Sequence, residues 1–494
     1  MAAAVHPWSA AAVLAVGCAL APAVHATRAI GTLEFEPCTL AAVGMPVTVA
    51  AQCAVLAVPE DRARPDGRRI QLAVAFVPSQ ARHPQPDPVF MLAGGPGQSA
   101  RESYPAVAMA FRGVLRDRHV VLVDQRGTGG SNPLACREAD DQEVAGEGDA
   151  IDREAAQAMA RRCLAGLEAD ARFYTTSDAV LDLEDVRKAI GAGQVNLVGI
   201  SYGTRVAQEY LRRYPARTRT VVLDGVVPPP LVLGAEHARN LDAALEAQFA
   251  RCKADAQCAR RFGSPMDRLD ELLADLRARP RSVTYRDPLT WELRTGTLTA
   301  ATVAGVARLY AYVPGLAAML PVSLAEAAAG RPEVLMAQAS MIESLVGEQV
   351  AHGMQLSVIC SEDADLLGRD PADAGTLLGT ALVDLLDAQC AVWPRGRRPA
   401  DFHEPVRSDA PVLLLSGEFD PVTPPAYGEQ VLATFPNGRH LVARGHGHNV
   451  MVAGCMPRLM TRFIETKDAQ GLDARCLDQL IYTPPFTGAY GWEP

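Results

Sequence analysis

Gly199-Ile200-Ser201-Tyr202-Gly203 is the stretch whose reading decides the fold. Before it runs Val195-Asn196-Leu197-Val198, a short apolar segment with the pattern of a buried strand. After it, Val206, Ala207, Tyr210 and Leu211 fall at helical spacing. Strand, tight turn and helix are the setting in which G-x-S-x-G carries chemistry. The turn is sharp and strained, the flanking glycines let strand and helix approach closely, and the serine hydroxyl is left pointing outward. Ser201 is therefore the candidate nucleophile.

Working outward, the same strand-then-loop pattern repeats. Val89-Phe90-Met91-Leu92-Ala93 reads as a strand ending in Gly94-Gly95-Pro96-Gly97. A glycine-rich loop at that point can bring a backbone N–H to the oxygen that gains charge during acyl transfer. Gly95 is the expected donor, with the N–H of Tyr202 as the second. His119 to Val123 is a further strand, leading into Asp124-Gln125-Arg126-Gly127-Thr128-Gly129, a loop in which Arg126 and Asp124 are expected to pair and brace the floor of the site. Ser177 is expected to cap a helix running to about Ile190. Thr220 to Leu223 gives another strand. Alternating strands and helices of this kind predict an α/β, doubly wound, mostly parallel sheet.

Pro228-Pro229-Pro230 marks a boundary. Beyond it, Ala235–Arg251, Met266–Arg279, Ala300–Tyr312 and Val322–Ala329 all read as helices, with a short extended exception at Ser282–Tyr285. Residues 228–407 are thus expected to be an inserted, mainly helical cap. Residues 27–227 and 408–494 form the two parts of the core, with residues 27–69 as loops and short strands. Glu362 and Asp363, beside Cys360, either face the cavity or sit on a solvated loop or helix N-terminus.

The strand pattern returns at Val412-Leu413-Leu414-Leu415-Ser416-Gly417 and leads to Glu418-Phe419-Asp420. Asp420 lies where a triad carboxylate belongs, with Glu418 as its nearest rival. His440-Leu441-Val442 is the last strand, followed by Gly445-His446-Gly447-His448-Asn449. An imidazole, with a pKa near neutrality, suits the general base, and the order Ser, Asp, His is that of an α/β-hydrolase. Two histidines alone do not make a metal site, and no third ligand accompanies them, so neither a metal nor a cofactor is expected.

The chain has 494 residues, 49% of them hydrophobic and 21% charged, and a formal net charge of -10. That composition fits a globular protein and argues against a nucleic-acid partner. Residues 1–26 have the pattern of a secretory signal peptide, with an apolar run from Ala10 to Ala21 and Val24-His25-Ala26 before the cleavage point. No later stretch is apolar enough to span a membrane, so a secreted or periplasmic location is expected. There are 11 cysteines, and loss of Cys18 with the signal leaves an even number. Proximity suggests Cys38 with Cys53, Cys136 with Cys163, Cys252 with Cys258, Cys360 with Cys390 and Cys455 with Cys476, although sequence leaves other connectivities open.

With these motifs in view, the chain from about Cys53 to Cys476 resembles the secreted tripeptidyl-aminopeptidase branch of the α/β-hydrolases, relatives of the prolyl iminopeptidases. The residues that carry the resemblance are Gly94-Gly95-Pro96-Gly97, Asp124 to Gly129, Gly199 to Gly203, Asp420 after Gly417-Glu418-Phe419, and Gly447-His448-Asn449. The resemblance favours His448 over His446 as the base. It departs from the prolyl iminopeptidases at Ala93, where those proteins usually carry histidine, which points toward release of tripeptides instead of single residues. It also implies that Glu362 receives the α-ammonium group of a peptide with a free N-terminus. The expected activity is therefore a serine aminopeptidase acting through Ser201, His448 and Asp420. A carboxylic-ester hydrolase with the same triad, or an iminopeptidase-type release of one residue, is the alternative.

Overall fold

The computed structural model describes residues 27–136, 151–346, 350–488 and Gly491. The expected signal segment and the acidic stretch 137–150 lie outside these residues. Twelve strands are present. In chain order they are β1 (Arg28–Ile30), β2 (Leu33–Ala41), β3 (Thr48–Pro59), β4 (Arg69–Val77), β5 (Val89–Leu92), β6 (Val120–Val123), β7 (Val195–Ile200), β8 (Thr218–Asp224), β9 (Arg281–Arg286), β10 (Leu293–Leu298), β11 (Val412–Gly417) and β12 (Gly438–Ala443). Ten of them form one sheet in the order β1-β2-β3-β4-β6-β5-β7-β8-β11-β12. The first four are antiparallel, β4 meets β6 antiparallel, and from β6 to β12 every pairing is parallel.

The parallel strands β5, β6, β7 and β11 are buried at every residue. Their continuous apolar runs are what a sheet covered on both faces requires. Helices Thr176–Ala189 and Tyr202–Arg213 cover one face, where Val186 and Tyr210 join the core. Helices Ala100–Val107 and Met456–Thr466 cover the other, contributing Tyr104 and Phe463. The parallel strands all end at one edge, where ligands of open α/β sheets bind. That edge presents the Gly94–Gly97 loop, Ser201, Asp224, Asp420 and His448, which follow β5, β7, β8, β11 and β12 respectively.

Several expectations are corrected. Residues 27–69 contain long strands, not short ones, and β2 alternates buried Leu33, Phe35 and Leu40 with exposed neighbours. The helix before β7 is capped by Thr175, whose side chain accepts from the N–H of Asp178, so Ser177 already lies inside it. Arg126 does not pair with Asp124. Its guanidinium donates to both oxygens of Asp182, at 2.6 and 2.7 Å, while Asp124 accepts from Ser99 and from the N–H groups of Arg101 and Gly130. The extended exception at Ser282 is one arm of the antiparallel hairpin β9–β10.

The helical stretch after Pro230 divides between two cores. Helices His237–Ala254, Pro265–Ala278, Ala300–Ala311 and Leu320–Ala328 enclose their own apolar cluster, including Leu245, Leu269, Val303 and Leu324. Helices His352–Glu362 and Ala381–Cys390 instead bury Met354, Ile359 and Leu386 in the core of the main sheet. We propose the cap as the segment from His237 to Val346, with the remainder to Arg407 belonging to the main body. Disulfides join Cys38–Cys53, Cys136–Cys163, Cys252–Cys258, Cys360–Cys390 and Cys455–Cys476. Among the described residues no helix is long and apolar enough to cross a membrane.

Candidate active site

Ser201 sits between β7 and the helix Tyr202–Arg213 at φ 54°, ψ -123°. This is a strained conformation for a residue with a Cβ, held by its surroundings. Its N–H donates to the Asp224 carbonyl at 2.8 Å. The two flanking glycines are sterically required. A methyl group on Gly199 would overlap the Gly203 carbonyl, and one on Gly203 would overlap the carbonyl of Leu92. The hydroxyl of Ser201 makes no hydrogen bond with a described residue. Catalytic contacts of this kind are often long before substrate binds.

The glycine loop after β5 lies against this elbow. A Cβ on Gly94 would stand 3.2 Å from the Ser201 Cβ. Gly95 adopts φ 103° and is exposed, so its backbone is open to a ligand. Tyr202 begins a helix, and the N–H of that first residue has no intrahelical carbonyl to bond. Gly95 thus follows the glycine packed against the elbow, and Tyr202 follows Ser201 directly.

His448 donates through Nδ1 to Asp420 Oδ2 at 2.7 Å. The remaining capacity of Asp420 is used by the N–H groups of Val422 and Thr423, at 2.9 and 2.8 Å, and by the Thr423 hydroxyl at 2.8 Å. Burial alone would lower the pKa of His448, but the Asp420 carboxylate, through charge and hydrogen bond, outweighs it and leaves the imidazole above its ordinary value. The rivals are occupied elsewhere. Glu418 accepts from the Gly445 N–H and the Tyr482 hydroxyl, and His446 turns Nδ1 to the Arg444 carbonyl.

Asp224 is a site residue that sequence reasoning passed over. Its carbonyl holds Ser201, and its carboxylate accepts the N–H groups of Val450 and Met451 at 2.8 and 2.9 Å. One residue thus ties the serine elbow to the histidine loop. Burial raises its pKa to about 6 against those two donors. Next to it, a Cβ on Gly225 would come within 2.9 Å of His448 Cε1. Thr423 was also missed, although a hydroxyl three residues after a catalytic carboxylate is a readable cap pattern.

Glu362 lies apart from this group. It is fully buried at the end of the helix His352–Glu362, with Thr176 donating its N–H to one oxygen at 2.5 Å and its hydroxyl to the other at 2.9 Å. Thr176 in turn bonds the Tyr202 hydroxyl at 2.6 Å, which receives the Gln125 amide at 3.1 Å. Burial, partly offset by the Arg205 charge, pushes the Glu362 carboxyl to about 8. Arg205 lies 3.9 Å from the Glu362 carboxylate and 2.9 Å from that of Asp363. Glu362 is thus buried and linked to the Tyr202 hydroxyl through Thr176. Its neighbour Asp363 is buried too, so neither the cavity-facing nor the solvated alternative describes this pair.

A hydroxyl on a strained elbow, an imidazole oriented by a buried carboxylate and free N–H groups nearby can together perform acyl transfer. Comparisons with known proteins agree. Residues 87–322 match the family model of the alpha/beta hydrolase fold, and residues 376–476 match that of TAP-like protein. The chain is 25% identical to the serine protease Hip1 of Mycobacterium tuberculosis, over 90% of this chain and 91% of that one. It is 30% identical to the tripeptidyl aminopeptidase of Streptomyces lividans, over 42% of this chain and 41% of that one. With the proline iminopeptidase of Neisseria gonorrhoeae it shares 29% identity, over 30% of this chain and 35% of that one. The chain has the α/β-hydrolase fold, carries a segment that matches the TAP-like proteins, and is a hydrolase of the serine-peptidase type.

Proposed function

We propose that the protein is an exported serine aminopeptidase that releases short peptides, most simply tripeptides, from free N-termini. The observation that carries this reading is the Nδ1–Oδ2 bond of 2.7 Å between His448 and Asp420 at the edge where Ser201 stands on its elbow. In this reading Ser201 Oγ attacks the scissile carbonyl as His448 Nε2 takes its proton. The N–H groups of Gly95 and Tyr202 stabilise the oxyanion. His448 then returns the proton to the leaving amine. Water, activated by the same imidazole, attacks the acyl-serine and frees the N-terminal fragment. Asp420 stays ionised and steadies the imidazolium.

Kinship to the tripeptidyl aminopeptidase supports peptide substrates and the step of three residues. Five disulfides support an oxidising compartment, in keeping with the apparent leader. The test is a pair of fluorogenic tripeptide amides, one with a free N-terminus and one acetylated. Cleavage of the free form alone, with an intact tripeptide found by mass, is the expected result. Equal cleavage of both would replace the reading by an endopeptidase. Turnover of a simple ester, with neither peptide cut, would replace it by an ester hydrolase.

A further inference from the structure

The cap delivers a cation to the catalytic histidine. The helix Ala300–Ala311 carries Arg308 one turn before Tyr312, so both side chains share a face. Tyr312 is in direct contact with the site. Its carbonyl accepts the His448 N–H at 3.0 Å, and its ring meets the His448 ring edge-on with centroids 5.2 Å apart. The Arg308 guanidinium lies beside the Tyr312 hydroxyl, where it opposes the rise in pKa that burial imposes. It also faces His237, the first residue of the first cap helix, whose imidazole is held at about 3 by burial and by the Arg308 charge. His237 is thus neutral at pH 7 and leaves Arg308 as the cation of this corner.

Arg308 is half-buried and forms no ion pair among the described residues. Other arginines have partners of their own: Arg205 pairs with Asp363, Arg239 with Asp370 and Asp373, and Arg251 lies over the face of Tyr482 at 3.8 Å. The neighbouring carboxylates are committed as well. Asp420 is filled by His448, Thr423 and two N–H groups, Asp224 by Val450 and Met451, and Glu236 receives the Tyr427 hydroxyl. A guanidinium without an acidic partner is free to take a counter-charge from a ligand.

We propose that Arg308 is a specificity residue that receives a carboxylate on the leaving-group side of the substrate. The side follows from the chemistry. His448 must hand its proton to the departing amine, so groups clustered on His448, away from the Gly95 loop, face the departing segment. A guanidinium fork binds a carboxylate through paired hydrogen bonds. The carboxylate has two sources of the same chemistry, the free C-terminus of a short leaving segment or an acidic side chain within it. The inference rests on the peptidase reading above.

The test uses the full chain and compares cleavage after the third residue of Ala-Ala-Ala-Ala against its C-terminal amide, and of Ala-Ala-Ala-Asp amide against Ala-Ala-Ala-Asn amide. The wild-type protein should favour a carboxylate-bearing member by about tenfold or more in kcat/KM, the scale of one charge-assisted bond pair. The first pair identifies the C-terminus as the source and the second the side chain. Arg308→Gln should bring the favoured ratio close to one, and Arg308→Lys should retain part of it. Each ratio is read within one preparation, so the folded fraction cancels. Cleavage without preference in the wild type, or a preference unchanged in Arg308→Gln, overturns the inference and leaves the peptidase reading standing. Failure to cut any of these peptides, with a simple ester still hydrolysed, overturns both.

Discussion

The two sides of His448 are built in different ways. On the sheet side, every group is fixed by backbone. Ser201 is held by the Asp224 carbonyl, the histidine loop by the Asp224 carboxylate, and the elbow by glycine contacts that admit no methyl group. On the cap side, Tyr312 accepts the His448 N–H and meets its ring edge-on, and Arg308 has no acidic partner among the described residues. The proposed cap has an apolar cluster of its own. The difference implies that the sheet side supplies chemistry, where substitutions cost rate, and the cap side supplies selection, where they change ratios between substrates.

The sharpest way to break this comparison is Ser201→Ala, which should lower kcat by roughly 10⁴-fold or more while circular dichroism and Tm stay at wild-type values. Residual turnover at a tenth of wild type would remove Ser201 from the chemistry. Asp420→Asn follows, with an expected loss of roughly 10⁴-fold, because the amide favours the wrong tautomer of His448. A smaller loss there would mean that Thr423 and the loop backbone orient the imidazole without the charge. Asp224→Asn should be milder. It leaves one of two buried N–H groups unmatched, at about 1–3 kcal/mol, so kcat should fall about tenfold to a hundredfold together with Tm. A normal rate with a lowered Tm would confine Asp224 to stability.

The pH dependence sharpens the same contrast. His448 acts only when neutral, and its pKa lies above the ordinary 6.5, so the acid limb of kcat/KM should fall at a pH above that value. The smallest effect is expected at Glu362. A buried carboxyl near 8 is largely protonated at pH 7, so Glu362→Gln should keep both activity and the discrimination between free and acetylated N-termini. Loss of that discrimination would restore Glu362 as the ammonium anchor. The unfolded chain ionises this group near 4.5, so the folded state holds the extra proton between there and about 8. Stability contributed by the protonated form is lost as pH rises through that window, and the slope should flatten in Glu362→Gln.

The sheet side was legible in the sequence because its chemistry sits on local patterns. A glycine-flanked serine between a strand and a helix, a carboxylate after an apolar run and a histidine after the last strand each carry their own context. The roles of Asp224 and Glu362 were not legible, because they depend on which segments approach from far along the chain. Asp224 reads as a strand end until the loop at Val450 folds onto it, and the sequence leaves Glu362 between a cavity and a solvated placement until Thr176 arrives from 186 residues away. Amphipathic spacing marked the helices after Pro230 but says nothing of which core an apolar face joins. The helix ending at Glu362 lies within the expected cap, yet its Met354 and Ile359 join the apolar cluster of the main sheet. In β2, Pro37 and the glutamates at 34 and 36 concealed a one-faced strand.

The measurement that bears most directly on the central claim is covalent trapping with a fluorophosphonate, read by peptide mass mapping alongside residual activity. The account predicts one adduct, on the peptide bearing Ser201, with turnover falling in step with labelling and no adduct in Ser201→Ala. An adduct on another residue, or a fully labelled protein that still cleaves its peptide, would contradict it.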